Sequence, residues 1–571
     1  MIAQVVFDLP LEGPFDYSIP SALENQISVG AQVQVFLGTK KCAGFVTKLA
    51  DKSLFEHLKP IKSVADKSVL TAAQVSLGHS LSRYYGCSLG EALFTISRGC
   101  EKLQVFSDTV KKNFSALTLY IVPSGNYEQV LVSLIKPLTG EGKKVLVLVA
   151  DQFVASWVEE ILKKHFLREN CLVGTRSLVF RSLDDVALVI MIDEDNLSYK
   201  QEQTPMYETR QVLLMREAIE KIDVAFISTT PSLELMFLVA KGQVKGIEVG
   251  QARLGQVQTI DLNNYKFTPK GLLSVPVKSV IEKNLAKEEK TILVLNRKGS
   301  YALSRCTDCG FILKCQRCDA PMTYFRLKGK YSCAHCTFTM PQETECPHCR
   351  KPSWKSIGIG VEQLQKELRN TFTLAKIACF ERGAQELKDF DVLIATQAVL
   401  RFRHRWRANT IVLIDFDGQL NRMDMRSSFN SWSLVEHLRV MAKEHIFIQT
   451  RNSDHYVLKA LTQGNAKIFY DEDRNIRREL KLPPFGHEVN VCLRCGNQTA
   501  AQNMAQELYG QLKGNAAYPL HADTVSKKRD QYRFNILVRG QDVIGMITLI
   551  KEALSRIKRS SKVIVTINVD P

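Results

Sequence analysis

Four C-x2-C pairs, Cys306/Cys309, Cys315/Cys318, Cys333/Cys336 and Cys346/Cys349, crowd into one short stretch of a 571-residue chain. Each such turn lets two sulfurs converge on one ion at ~2.3 Å, and two turns complete a tetrahedral four-thiolate site. Eight thiols therefore imply two Zn²⁺ ions. The opening Met1–Asp8 has no basic segment followed by an apolar run, and no stretch approaches the ~18 apolar residues of a membrane helix. In a chain so read as cytosolic, paired cysteines mean metal thiolates rather than disulfides. Between Cys318 and Cys333, the arms Met322–Arg326 and Lys330–Ser332 flank Leu327–Gly329 like a hairpin. This suggests nested pairing: Cys306, Cys309, Cys346 and Cys349 on one ion, and Cys315, Cys318, Cys333 and Cys336 on the other. Sequential pairing is the alternative. Cys492 and Cys495 have no second pair in reach and read as strand cysteines.

A chain this long exceeds one hydrophobic core, and its composition is that of an ordinary folded protein. Lysine and arginine number 76 against 59 aspartate and glutamate, a net charge of +17. Eight thiolates with two Zn²⁺ change this by −8 + 4, leaving +13, and Arg305, Lys314, Arg317, Arg326, Lys328, Lys330 and Arg350 cluster around the cysteines. Such a balance suits a polyanionic partner such as nucleic acid or an anionic membrane surface, and charge alone does not choose between them. With no membrane-length apolar stretch, no membrane partner is expected.

Period-two alternation through Ala31–Phe36 and Gly44–Val46 predicts an amino-terminal β domain, and Thr71 is placed to cap a helix carrying Val75, Leu77 and Leu81. Buried runs at Leu117–Val122, Lys144–Ala150, Val186–Ile192 and Val224–Thr229 alternate with amphipathic stretches and predict a parallel α/β sheet. A second series, Thr291–Leu295, Val392–Ala395 and Ile411–Ile414, brackets the cysteines. The tail, with a basic helix near Arg474–Leu480 and strands Phe534–Val538 and Val563–Val569, reads as α+β.

The cysteine spacing, interrupting a helicase-like lobe, resembles the PriA family of bacterial replication-restart proteins. Further motifs carry the likeness: Leu295–Gly299, Gly358–Glu362, Phe15–Asp16–Tyr17, Phe36–Leu37–Gly38, Leu58–Ile61, Val173–Ser177, Ser198–Glu202, Thr230–Glu234, Leu482–Phe485 and Val569–Pro571. The resemblance implies a multidomain α/β protein: a 3′ DNA end-binding β domain (1–65), a winged-helix-like unit (66–106), and two RecA-like lobes (107–284 and 285–455). The two-zinc insert (306–349) lies in the second lobe, and an α+β carboxy-terminal DNA-binding domain (456–571) follows. It also implies that Phe15, Asp16, Tyr17, Gly38 and Lys59 pocket the 3′ end of a strand by stacking a base and bonding its sugar. Apart from the resemblance, Phe15 and Tyr17 read as core residues of a β-barrel rather than as a pocket. The implied partners are forked and single-stranded DNA, primosome proteins and single-strand-binding proteins, with the chain a monomer in the bacterial cytoplasm.

A phosphate-binding loop wraps phosphates in glycine amides, neutralises them with lysine, and holds Mg²⁺ on a Ser/Thr hydroxyl. At the corresponding place stand Pro123, Asn126 and Tyr127: no amide, no lysine, no hydroxyl of the right reach. Asp193 and Glu194 retain the metal-binding and water-activating carboxylates. The expected arginine finger is absent where the chain reads His437–Lys443; Arg439 and Lys443 are expected as solvated helix charges. ATP and Mg²⁺ are thus not expected as working cofactors, although non-hydrolytic nucleotide binding stays open. The leading reading is a fork- and D-loop-binding initiator of primosome assembly without helicase activity. The alternatives are an active ATP-dependent 3′–5′ helicase with a rearranged site, and a zinc-dependent platform for protein or RNA.

Overall fold

The computed structural model describes residues 1–100, 116–123, 125–250, 255–264, 271–295, 303–317, 322–325, 330–333, 338–341, 345–357, 361–380, 389–422, 424–514, 521–528, 530–558 and 562–571. The amino-terminal unit is an antiparallel sheet of β1 (Ile2–Phe7), β2 (Phe15–Ser18), β3 (Ala31–Leu37), β4 (Lys40–Ala50) and β5 (Ser63–Val69), ordered β2-β1-β4-β3-β5. Its alternating residues Ala3, Val5, Val33 and Val35 are fully buried, as period two requires. Two helices follow, α1 (Ala72–Tyr85) and α2 (Leu89–Cys100). Thr71 and Gln74 close a reciprocal capping box at the start of α1. At Gly90 a Cβ would fall 1.7 Å from the Phe7 carbonyl oxygen, so only glycine lets α2 lie this close to β1. The expected boundary at 65/66 cuts through β5, which pairs with β3. Of the winged-helix-like unit, the described residues show these two helices; 101–106 lie outside them.

The first lobe is a parallel sheet built from β6 (Leu117–Ile121), α3 (Tyr127–Gly140), β7 (Lys144–Leu148), α4 (Gln152–Lys164), β8 (Cys171–Gly174), β9 (Val186–Ile192), α5 (Thr209–Glu220), β10 (Asp223–Ser228), α6 (Leu233–Ala240) and β11 (Lys245–Glu248). The strand order is β11-β6-β10-β9-β7-β8, and every residue of the central β9 is buried, the mark of a sheet covered on both faces.

The second lobe begins earlier than expected. β12 (Gln256–Asp261) and α7 (Val275–Ala286) fall within the stretch assigned to the first lobe. β12, however, pairs in parallel with a later strand, Val257 opposite Ile446. Alternating strand and helix patterns continue across the junction, and periodicity alone does not say which sheet an edge strand joins. β13 (Thr291–Leu295) leads into the cysteine-bearing insert: β14 (Leu303–Cys306), β15 (Met322–Phe325), β16 (Lys330–Cys333), β17 (Thr339–Pro341) and β18 (Trp354–Ile357), an antiparallel sheet ordered β17-β16-β15-β14-β18. The lobe resumes with α8 (Val361–Thr371), β19 (Ile377–Phe380), β20 (Val392–Thr396), β21 (Ala408–Leu413), the short α9 (Asp417–Leu420), α10 (Ser427–Met441) and β22 (Ala442–Thr450). All six strands of its sheet, β12-β22-β21-β13-β20-β19, run parallel.

α11 (Tyr456–Gln463) and α12 (Ala466–Glu479), expected in the carboxy-terminal domain, bury Val457, Leu458, Leu461 and Phe469 in the second lobe's core, with Phe469 stacked on Trp432 at 4.5 Å. The domain proper comprises β23 (His487–Cys495), α13 (Gln498–Leu512), β24 (His521–Lys528), β25 (Gln531–Gly540), α14 (Val543–Arg556) and β26 (Ile564–Val569), with sheet order β24-β25-β23-β26. Cys492 and Cys495 lie on β23. The buried ammonium of Lys200 donates to the Val569 carbonyl at 2.6 Å and ties this domain to the first lobe. Among the described residues no helix is long and apolar enough to cross a membrane.

Candidate functional site

In an open parallel sheet, ligands sit at the carboxyl ends of the strands. That edge of the first lobe carries the loop after β6 and the acidic turn after β9. The Gly125 N–H donates to the Val122 carbonyl (3.0 Å) and the Tyr127 N–H to the Gly125 carbonyl (2.9 Å), while Pro123 has no N–H to offer. These amides, which a phosphate-binding loop would turn outward, close the loop on itself. Gly125 has φ +66°, and a Cβ there would lie 2.7 Å from the Val440 side chain of α10, so the second lobe covers the loop directly.

Tyr127 enters the core as the first residue of α3. Its fully buried hydroxyl donates to Asp193 Oδ1 at 2.5 Å, makes a 2.8 Å hydrogen bond with Thr229 Oγ1, and accepts the Thr229 N–H at 2.8 Å. Asp193, in the left-handed region at φ 50°, gives its other oxygen to the guanidinium of Arg403 from the second lobe. Both partners of that ion pair are at least nine-tenths buried. Glu194 accepts from Arg210 at 2.6 Å and from the Ser232 N–H at 2.7 Å. Asp195 accepts from Thr230 Oγ1 and Ser433 Oγ; burial, then the charges of Glu194 and Asp193, pushes its pKa well up. Burial, then Arg403, lowers His437 to about 4, leaving its ring uncharged. Asp193, Asp195 and His437 stand close enough to share an ion, but the arginine already supplies the cation.

Arg403 belongs to a run the sequence analysis passed over. Arg401 faces Asp151 at 3.7 Å, Phe402 meets Phe153 at 5.7 Å, His404 stacks on Trp157 at 3.8 Å, and Arg405 binds Glu160 at 2.5 Å. Five consecutive side chains of one lobe therefore press on the other, and the dense Arg/aromatic stretch Arg401–Trp406 was the available signal. Arg439, expected as a solvated charge, is instead largely buried, paired with Glu436 at 2.9 Å and bonded to the Gly255 carbonyl. Lys443 is exposed as expected, but on β22 rather than on a helix.

In the insert, Cys306, Cys309, Cys346 and Cys349 converge, with Cys306–Cys349 and Cys309–Cys346 sulfurs each 3.6 Å apart. Sulfurs at ~2.3 Å around a tetrahedral ion stand about 3.8 Å apart, so the group fits zinc. The two turns are near copies. Gly310 N–H donates to the Cys306 carbonyl and Arg350 N–H to that of Cys346, and both donors have left-handed φ, +75° and +58°. Cys315 and Cys333 are buried beside Met322 and Tyr331; Cys318 and Cys336 lie outside the described residues, as does the turn Leu327–Gly329. The hairpin arms pair Tyr324 with Tyr331. The carboxy-terminal domain grips this insert through Lys527 to the Gln316 carbonyl and the Asp530 N–H to that of Arg317.

At the amino-terminal sheet, Phe15, Asp16 and Tyr17 share the edge strand β2. Tyr17 faces inward beside Phe7, and its hydroxyl donates to the Phe36 carbonyl at 3.1 Å; Phe15 is partly exposed against the same ring. Asp16 accepts from Gln4 at 3.2 Å and from Ser53 at 2.5 Å. Lys59 reaches the carbonyl of Gly38 at 2.6 Å. Ser53 and Gln4 were not singled out from the sequence, having no motif of their own.

Comparison with known proteins follows the same divisions. Residues 4–97 match the family model of the 3′ DNA-binding domain of PriA, spanning the sheet together with α1 and α2. Residues 315–341, which take in Cys315, Cys318, Cys333 and Cys336, match the PriA DNA helicase Cys-rich region, and 478–571 match the primosomal protein N carboxy-terminal domain. The chain is 24% identical to the replication restart protein PriA of Rickettsia conorii over 100% of its own length and 99% of that protein. It is 24% identical to that of Bacillus subtilis over 75% of this chain and 57% of that one. Among solved structures, the Escherichia coli DEAH/RHA helicase HrpB aligns at 11% identity with a TM-score of 0.34, covering 59% of this chain and 40% of that one, too distant to carry an argument.

Arg403→Ala leaves the Asp193 carboxylate buried with its cation gone, and is expected to cost about 3–5 kcal/mol of stability by urea denaturation. Cys306→Ser is expected to remove one zinc equivalent per chain by elemental analysis of the purified protein.

Proposed function

Because this chain belongs to the PriA family of replication restart proteins, we propose that it recognises forked DNA and the 3′ end within it and helps rebuild a replication complex there without hydrolysing ATP. The observation that carries the reading is the engagement of Asp193 on both oxygens, by Tyr127 and by Arg403. Phosphoryl transfer relies on a metal bridging the phosphates and on donors placed around them. Here an arginine takes the place of the metal, a closed loop that of the cradle, and Val440 fills the space above it. An enzyme using a rearranged site would need Tyr127, Arg403 and Val440 to leave together.

Binding asks for none of this. A net charge of +17, or +13 with two four-thiolate zinc sites, supplies phosphate contacts across a wide surface. The zinc sites, Cys306/Cys309/Cys346/Cys349 and Cys315/Cys318/Cys333/Cys336, staple an insert whose own core is small. The amino-terminal pocket, with Asp16 and Lys59 at its polar edge and Phe15 beside it, takes the strand end. Primosome and single-strand-binding proteins are the partners this role requires, and the cytoplasm is where it is exercised.

The test is fork binding by zinc-replete protein. A fork with a free 3′-hydroxyl at its junction is expected to bind at least about tenfold more tightly than blunt duplex at moderate salt, with both affinities falling as salt rises. Equal affinities for fork and duplex at both salt concentrations would reject the reading.

A further inference from the structure

Between Asp51 and Pro60 the chain runs along the outer edge of β2. It is fastened at two points: Ser53 Oγ donates to Asp16 Oδ2 at 2.5 Å, and Lys59 Nζ donates to the Gly38 carbonyl at 2.6 Å, with the Ser18 N–H bonding the Lys59 carbonyl at 3.1 Å. The Phe55 N–H returns to Ser53 Oγ at 3.1 Å, so the tip is braced as well. This braced tip carries Leu54 at 99% and Phe55 at 67% exposure, two large apolar side chains in water beside the carboxylate.

We propose that the loop is a second platform of the 3′-end site, on which Leu54 and Phe55 pack against the nucleotide next to the terminal one, while Ser53 positions Asp16 for the terminal sugar hydroxyl. The proposal rests on reading the amino-terminal sheet as the site of the 3′ end. Three observations choose this occupant. Asp16 is an acceptor held in one orientation by Gln4 and Ser53, which suits a hydroxyl donor rather than a phosphate. Phe55 lies two steps along the chain from Ser53, a Cα span of at most ~7 Å; stacked nucleotides rise ~3.4 Å along one strand. The ring therefore lies within about two nucleotides of the terminus. Lys52 and Lys59 of this loop, Lys40 and Lys41 just after Gly38, and Lys62 just beyond Pro60 are exposed against Asp51 and Glu56, an excess of positive charge over these segments that favours a polyanionic strand. An aromatic ring beside a basic groove is how single strands are held without reading sequence, by stacking.

The test uses the full-length zinc-replete protein and fluorescence anisotropy with a short 5′-labelled oligothymidylate. Its end is a 3′-hydroxyl, a 3′-phosphate, or a 3′-hydroxyl preceded by an abasic penultimate residue. Wild type is expected to lose about 5- to 100-fold in affinity with the abasic strand. Phe55→Ala, at an exposed position that leaves the core intact, is expected to lose as much on the normal strand and to stop responding to the abasic change. Ser53→Ala is expected to abolish discrimination between hydroxyl and phosphate ends, and Ser53→Thr to restore it. Wild-type affinity in Phe55→Ala, or undiminished sensitivity of that variant to the abasic residue, overturns the platform. Retained end discrimination in Ser53→Ala overturns the positioning role. A wild-type protein indifferent to hydroxyl and phosphate ends overturns the 3′-end reading itself, and the proposal with it.

Discussion

The guanidinium of Arg403 rests on the carboxylate of Asp193 at the carboxyl edge of the first parallel sheet, and the relation between the two lobes follows from that contact. A carboxylate this deeply buried needs a cation or a proton, since isolated charge in a low-dielectric interior is costly. The second lobe provides the cation from its own chain. Once Arg403 is committed, its neighbours follow: His404 lies flat on Trp157, Phe402 meets Phe153, and Arg401 and Arg405 reach Asp151 and Glu160. On the far side of the cluster, Thr230, Ser433 and His437 hydrogen-bond across the same boundary.

The metal-bearing insert obeys the same logic of compensation. Among the described residues its core holds five buried side chains, two of them cysteines, and thiolate–zinc bonds add stability that so small a cluster lacks. The carboxy-terminal domain leans on it through backbone carbonyls of Gln316 and Arg317. The insert is thereby joined to a domain that also holds the first lobe through Lys200, so distant parts of a basic surface keep a fixed geometry.

Much of this was legible in the sequence where chemistry or periodicity is local. Thr291–Leu295 is a strand because five consecutive apolar or β-branched residues suit a buried parallel position, and Thr71 marked a helix start. That Pro123, Asn126 and Tyr127 depart from a phosphate-binding loop was likewise readable. The contacts they make were not. Asp193 lies 66 residues from Tyr127 and 210 from Arg403, so only the fold reveals that the three form one hydrogen-bonded cluster. The lobe boundaries failed for a related reason: β12 is a well-formed strand pattern, but its partner β22 lies far along the chain. Helices α11 and α12 read as part of the tail because their apolar faces do not name the core they cover.

The central claim is that Arg403 and Tyr127 have taken the place of metal and nucleotide for good. It is tested most directly by inorganic phosphate release from ATP and Mg²⁺ on zinc-replete protein with saturating forked DNA. No release above the DNA-free background is the expected result. Release that rises with forked DNA and disappears in Asp193→Ala would contradict it.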